Sequence, residues 1–209
     1  HALQAATGEF VALVDHDDEL PPNALFEAVA RLAEEPDLDL LYSDEDKLEV
    51  DGRRVEPFFK PDWSPDLLLS MNYIAHLTVL RRSLVEATGG FRRGFDGSQD
   101  YDLLLRVTER TSRIAHIPKV LYHWRMIAGS AAEKVDAKPQ ALDAGLHAVE
   151  DFITRHNLPA TAERGLLEGL FRVRYNILSN PKAALCIIAS NKLADVPGRN
   201  RDIAQAVRK

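Results

Sequence analysis

The chain has 209 residues, is 45% hydrophobic and carries a formal net charge of −6 with acids and bases interspersed. That length accommodates one substantial domain or one and a half, and the charge argues against a general nucleic-acid binder. No apolar run approaches the roughly 20 residues that cross a bilayer, and the single Cys186 excludes an internal disulfide or a Cys-based zinc cluster, which favours a reducing, cytosolic setting.

The opening HALQAATGEF has neither an initiator Met nor the basic start and apolar centre of a leader. It reads as the end of a helix in a chain cut from something longer. GEFVALVD is a short apolar run, expected to be a buried strand. PPNALFEAVARLAEEP follows with Leu25, Phe26, Val29 and Leu32 on one helical face. DLDLLYSDED is a second strand, and Asp51-Gly52 marks a tight hairpin within KLEVDGRRVEP. In SPDLLLSMN, Ser64 as cap and Pro65 at the first position predict a short helix. YIAHLTVLRR reads as a strand, SLVEATGG as a helix closed by Gly89 and Gly90, and SQDYDLLLRVTERT as a helix capped by Ser98. RIAHIPKVLYHWR is a strand pair or one bent strand. KPQALDAGLHAVEDFITRH is an amphipathic helix with Leu142, Leu146, Val149 and Phe152 on one side. The signal then weakens: residues 157–182 read as a linker, and Ala183–Ala189 with RNRDIAQAVRK as the first strand and helix of a second domain.

Alternating strands and helices imply an α/β fold with a mainly parallel sheet flanked by helices. Ligands gather at the carboxyl ends of strands in such sheets. Asp15 and Asp17 stand at one such end, Asp44 and Asp46 at another. A hard cation such as Mg²⁺ takes one or two carboxylates and fills its shell with water and phosphate oxygens. DHDD therefore suits a Mg²⁺ or Mn²⁺ anchor for a diphosphate; the alternative is a solvated loop that favours the positive end of the next helix. Asp100 and Asp102 open a helix after a glycine-rich turn, where a carboxylate could take a proton from a sugar hydroxyl or simply cap the helix. His123 could complete a metal shell or be a satisfied, half-buried histidine. Arg125 could pair with phosphate through its planar fork.

Taken together, GEFVALVDHDDEL, DLLYSDEDK, the run from PFFKPDWSPD to RVTERT, and IAHIPKVLYHWR resemble the family 2 glycosyltransferases of GT-A fold, of the type found in bacterial cell-surface and O-antigen polysaccharide synthesis. The resemblance covers about Gly8 to Ala148. It implies that Asp15 and Asp17 are the D-x-D pair that binds the metal and, through it, a nucleotide-diphosphate sugar. It makes Asp100 the general base, with Gln99 where the family usually has Glu and Asp102 beside it on the acceptor side. It makes His123 a metal or diphosphate contact, with Arg125 next to it. Trp63 is a sugar-stacking surface or core. No role follows for Asp44 and Asp46.

The expected reaction is inverting, metal-dependent transfer of a sugar to a saccharide or lipid-linked saccharide acceptor, in the cytoplasm or at the inner face of the membrane. On this reading residues 1–156 are the metal and acceptor part of the domain, without the family's first nucleotide-binding strands. The isolated polypeptide is then expected to have little or no activity. Two rivals remain. A Mg²⁺-dependent phosphotransferase would need Thr or Val soon after the second Asp, where Asp18, Glu19 and Leu20 stand. A non-catalytic carbohydrate-binding or scaffolding remnant would tolerate loss of Asp100.

Overall fold

Strand β2 (Leu40–Leu48) organises the molecule, because both of its edges are used. In this computed structural model, which describes residues 2–126, 139–179 and 182, β5 (Ile114–Arg125) runs parallel along one edge of β2, from Leu40 opposite Ile114 to Leu48 opposite Arg125. The other edge is shared by two antiparallel strands, β4 (Thr78–Arg81) beside Leu40–Tyr42 and β3 (Arg54–Phe58) beside Glu45–Leu48. Strand β1 (Phe10–Leu13) closes the sheet against β4, also antiparallel. The α/β class holds with a mixed sheet, and its parallel character is concentrated in the long β2–β5 pair.

Successive residues of β2 point to opposite faces, and a separate core lies on each. Leu40 and Tyr42 belong to a cluster with Leu68 and Leu69 of α3 (Pro65–Ser70), Leu103, Leu104 and Val107 of α5 (Gln99–Thr108), and Val149 and Ile153 of α6 (Pro139–Arg155). Leu41 belongs to the other, with Ala115, Ile117 and Leu121 of β5 and Ala24 and Ala28 of α2 (Ala24–Glu34). Helix α2 thus approaches the sheet through its alanines. Leu25, Phe26 and Val29, the face read from the sequence as inward, are exposed, and only Leu32 is partly covered. Small residues allow closer approach of helix to sheet, and that decides which side is buried. Among the described residues the two remaining helices are short: α1 (Ala2–Ala5) precedes β1 and α4 (Arg82–Ala87) follows β4.

Local signals fix several boundaries. Gly52 turns the β2–β3 hairpin at φ +86°, a conformation that favours glycine. Ser64 caps α3, its Oγ accepting from the Leu67 N–H at 3.4 Å, with Pro65 next. Ser98 stands at the cap of α5 but does not cap it: its hydroxyl donates to the carbonyl of Ala141 at 2.7 Å and ties α5 to α6. RIAHIPKVLYHWR is one bent strand, its register with β2 slipping between Ile117 and Val120, around Pro118, which has no N–H to give.

The expected linker is not one over its first half. Ala160–Arg164 and Phe171–Tyr175 form an antiparallel hairpin, β6 and β7. FRVRY has the period-two alternation of a half-buried strand: Phe171 is buried, Val173 packs on the core, and the arginines point outward. Phe171 stacks on Tyr101 at 5.8 Å between ring centres and lies so close to Gly145 that a Cβ there would meet its ring at 2.7 Å. The chain divides into two compact units, His1–Asn176 and Ile177–Lys209. The strand and helix expected after residue 182 lie outside the described residues.

Candidate active site

The acidic loop after β1 is stapled to the end of β5. Glu19 and His123 exchange both backbone hydrogen bonds, at 3.1 and 2.9 Å. The Tyr122 hydroxyl accepts from the Asp15 N–H at 3.1 Å and donates to Asp18 Oδ2 at 2.5 Å. Asp18 also accepts from the Arg125 N–H at 2.8 Å. Burial pushes the Asp18 carboxyl above its ordinary range, with the Tyr122 hydroxyl and Arg125 N–H opposing. The Arg125 guanidinium is spent on the same loop, donating to the Asp17 carbonyl at 2.7 Å and pairing with Glu19. The cluster of acids at a strand tip is thereby explained: Asp18 and Glu19 hold the loop, and Asp15 is left with a 60% exposed side chain.

Asp15 faces a cavity of about 460 Å³. Asp100 and Gln99 line it from the start of α5, Asn72 and His76 from the segment between α3 and β4, Glu45 from β2, Trp124 from β5, and Phe171 from β7. Asn72 Nδ2 donates to Asp100 Oδ2 at 2.8 Å, and Gln99 Oε1 accepts from the Gly97 N–H at 2.7 Å. Beneath lies a buried ionic trio. The Lys60 ammonium, with no exposed side-chain surface, is 3.2 Å from Glu45 Oε2 and donates to the carbonyls of Ile74 and His76. His76 Nδ1 lies 3.3 Å from the same Glu45 oxygen, misaligned for a hydrogen bond, and its ring stacks on Tyr122 at 4.6 Å. Burial lowers the Lys60 pKa, with Glu45 partly restoring it. Burial would raise Glu45, yet His76 and Lys60 reverse that and hold its carboxyl below the ordinary range. His76 is raised, because Glu45 outweighs burial.

The remaining expected site residues stand elsewhere. His123 is buried, and its Nδ1 lies 2.5 Å from Asp46 Oδ1; Arg54 holds the other Asp46 oxygen at 2.7 Å. Asp44 similarly holds His116 at 2.7 Å and the Lys60 N–H at 2.9 Å. Asp102 is 1% exposed and ion-paired to Arg92 and Arg106, which excludes it from substrate contact. Trp63 packs on the core and does not line the cavity. Among the described residues no group of three His, Cys, Asp or Glu side chains could hold a metal ion. Asp15, Asp17 and His123 therefore do not assemble as a three-ligand shell: Asp15 alone of them lines the cavity.

Sequence reasoning missed Glu45, Asn72, His76, Trp124 and the β6–β7 hairpin. Trp124 had a usable signal, since neighbours on a strand face opposite sides. With His123 turned to Asp46, Trp124 is the residue left to face the cavity. Asn72 and His76 carry no local signal, because their place depends on which helix start they meet.

Residues 1–89 match the model of a family described as Glycosyl transferase family 2. Over 185 residues, 88% of the chain, the sequence is 40% identical to the O-antigen biosynthesis protein RfbC of Myxococcus xanthus. These two matches support a family 2 glycosyltransferase. It is also 49% identical over 156 residues, 74% of its length, to the uncharacterized protein y4gI of Sinorhizobium fredii. It spans 17% of the length of y4gI and 14% of RfbC. Among solved structures, S. aureus TarS 1-349 in complex with UDP-GlcNAc superposes with a TM-score of 0.50 at 19% identity, over 74% of this chain and 50% of that 1-349 chain. That likeness supports the GT-A fold of this chain. The family match ends at Gly89, so it includes Asp15, Asn72 and His76 and stops before Asp100. Among the described residues no helix is long and apolar enough to cross a membrane.

Proposed function

We propose that this glycosyltransferase domain serves inverting transfer of a sugar from a nucleotide-diphosphate donor to a hydroxyl of a saccharide or lipid-linked saccharide, in the making of a cell-surface polysaccharide. The observation that carries the reading is that Asp15 and Asp100, from elements far apart in sequence, line one cavity. The relative RfbC, named for O-antigen biosynthesis, and the TarS complex with UDP-GlcNAc support it. A setting in the cytoplasm, or peripheral at the inner face of the membrane, fits this chemistry.

In the proposed reaction Asp100 takes the proton of the acceptor hydroxyl. The hydroxyl oxygen forms the new bond to the anomeric carbon as the bond to the donor diphosphate breaks. The electron pair of that bond leaves with the diphosphate, and the attack from the opposite side inverts the carbon. Such general-base assistance is worth about 10²–10⁴ in rate. Asp15 is the carboxylate available to a diphosphate-bound Mg²⁺ or Mn²⁺, an ion that keeps most of its shell for water and phosphate; with no three-residue shell assembled, the steps above are assigned to the protein's own groups alone.

The test is transfer by the full-length protein from a panel of UDP- and dTDP-sugars, with and without Mn²⁺. Asp100→Asn is expected to lower transfer by about 10²–10⁴ while the circular-dichroism spectrum and melting temperature stay unchanged. Undiminished transfer by that variant would favour the scaffolding alternative.

A further inference from the structure

Among the described residues Asn72 Oδ1 is a buried side-chain atom without a hydrogen-bond partner, in a residue that lines the cavity holding Asp100; the other such atom, His76 Nδ1, already faces the Glu45 carboxylate at 3.3 Å. Buried polar atoms are ordinarily paired, and an unpaired one inside a cavity marks a place where a ligand atom belongs. The orientation of Asn72 follows from its partner. A carboxylate only accepts, so the amide NH₂ must face Asp100 and the oxygen is the atom left over. Asn72 is presented by an ordered turn: the Tyr73 N–H donates to the Met71 carbonyl at 2.8 Å, and the Tyr73 hydroxyl accepts from the Ser64 N–H at 2.9 Å.

Resting on the glycosyl-transfer reading above, we infer that Asn72 is a positioning residue that reads the acceptor: its N–H steadies Asp100, and its Oδ1 accepts from a hydroxyl adjacent to the one that reacts. The acceptor class this fits is a sugar ring with two neighbouring hydroxyls, one donating to Asp100 and one to Asn72. A simple alcohol leaves Asn72 Oδ1 unpaired and is disfavoured. The ionisable side chains sharing the cavity with this pair are Asp15, Glu45, His76, Tyr101 and Glu168; Asp102, two positions along α5, is closed off by Arg92 and Arg106.

The experiment uses the full-length protein, its best donor from the UDP- and dTDP-sugar panel, and a panel of methyl glycosides with their single-deoxy analogues as acceptors. Wild type is expected to discriminate against the analogue lacking the neighbouring hydroxyl, and Asn72→Ala to lose that discrimination. Asn72→Ala also lowers kcat/KM for the acceptor by about 10–100-fold and leaves the donor KM within about twofold. Asn72→Ser, which keeps a donor, restores part of the rate; if Asn72→Ala does not fold, this variant and the wild-type discrimination carry the test. A folded Asn72→Ala with unchanged acceptor kcat/KM and unchanged deoxy discrimination overturns the inference. If Asp100→Asn is inactive in that same assay, the assignment of Asn72 falls alone; if Asp100→Asn is fully active, the glycosyl-transfer reading falls and takes this with it.

Discussion

Asp100 and Asp102 are two positions apart on one helix, and their surroundings give them opposite work. Asp100 faces the cavity and has one amide as its partner, which leaves an oxygen for chemistry. Asp102 is buried, with Arg92 and Arg106 on both oxygens; Arg106 also reaches the carbonyls of Thr88 and Gly90, and Arg92 reaches Asp151 of α6. It is a tie between α5, α6 and the turn after α4. The same contrast recurs in the acidic loop, where Asp15 is open to the cavity and Asp18 is fastened to Tyr122 and Arg125. A carboxylate with its acceptor capacity filled serves the scaffold, and one with capacity to spare is available to a substrate.

The sharpest way to break that comparison is to exchange the outcomes. Asp100→Asn is expected to lower transfer by about 10²–10⁴ without changing stability. Asp102→Ala is expected to destabilise by about 3–5 kcal/mol, because it leaves two arginines beside an empty, buried place; urea melts measure it. The tie has a pH signature. Burial alone would raise the Asp102 carboxyl, but the hydrogen bonds and charges of Arg92 and Arg106 more than reverse it, so the folded value lies below the ordinary one. A depressed acid stabilises the fold fully above its unfolded value of about 3.9 and loses that contribution as pH falls through the folded value. Stability of the wild type should therefore fall more steeply below about pH 4 than that of Asp102→Asn. Equal slopes in urea melts over that range would remove Asp102 from its structural role.

A smaller effect is expected at the loop. Asp18→Asn keeps the shape but has one acceptor oxygen where the carboxylate has two, so either the Tyr122 hydroxyl or the Arg125 N–H meets an amide N–H, for about 1–3 kcal/mol. Asp15→Asn should stay within about 0.5 kcal/mol of wild type in stability and weaken donor affinity, read as a raised KM for the nucleotide sugar. If the two variants behave alike, the distinction between fastened and open carboxylates fails at this loop.

Much of this was legible in the chain, and what was not has a common cause. The order of strands and helices, the Ser64 cap and the Asp51-Gly52 turn follow from local chemistry, and so does the presence of acids at a strand tip and at a helix start. Which acid of each group is open does not, since Arg92, Arg106, Tyr122 and Arg125 arrive from other elements. His123 was read toward a metal because its sequence neighbours are suggestive, but β5 lies parallel to β2 in the register that puts it opposite Asp46. The β6–β7 hairpin was obscured by composition: a stretch with two prominent arginines looks solvated until its alternation is set against the buried Phe171.

The smallest expected effect concerns Trp63, where sequence left a sugar platform and core open. A stacking surface must present a ring face to the ligand, and Trp63 instead packs partly buried on the cluster around Leu68 and Leu104, away from the cavity. The aromatic side chain that does line the cavity from the end of β5 is Trp124. Trp63→Phe keeps an apolar ring in the packing and is expected to lower stability by about 1 kcal/mol, with the acceptor KM unchanged. Trp124→Phe is the contrasting variant: Trp124 touches the cavity, so its expected signature is a raised acceptor KM. A several-fold rise in acceptor KM for Trp63→Phe, with Trp124→Phe silent, would return the platform to Trp63 and would place the acceptor on the α3 side rather than in the cavity that Asp15 and Asp100 line.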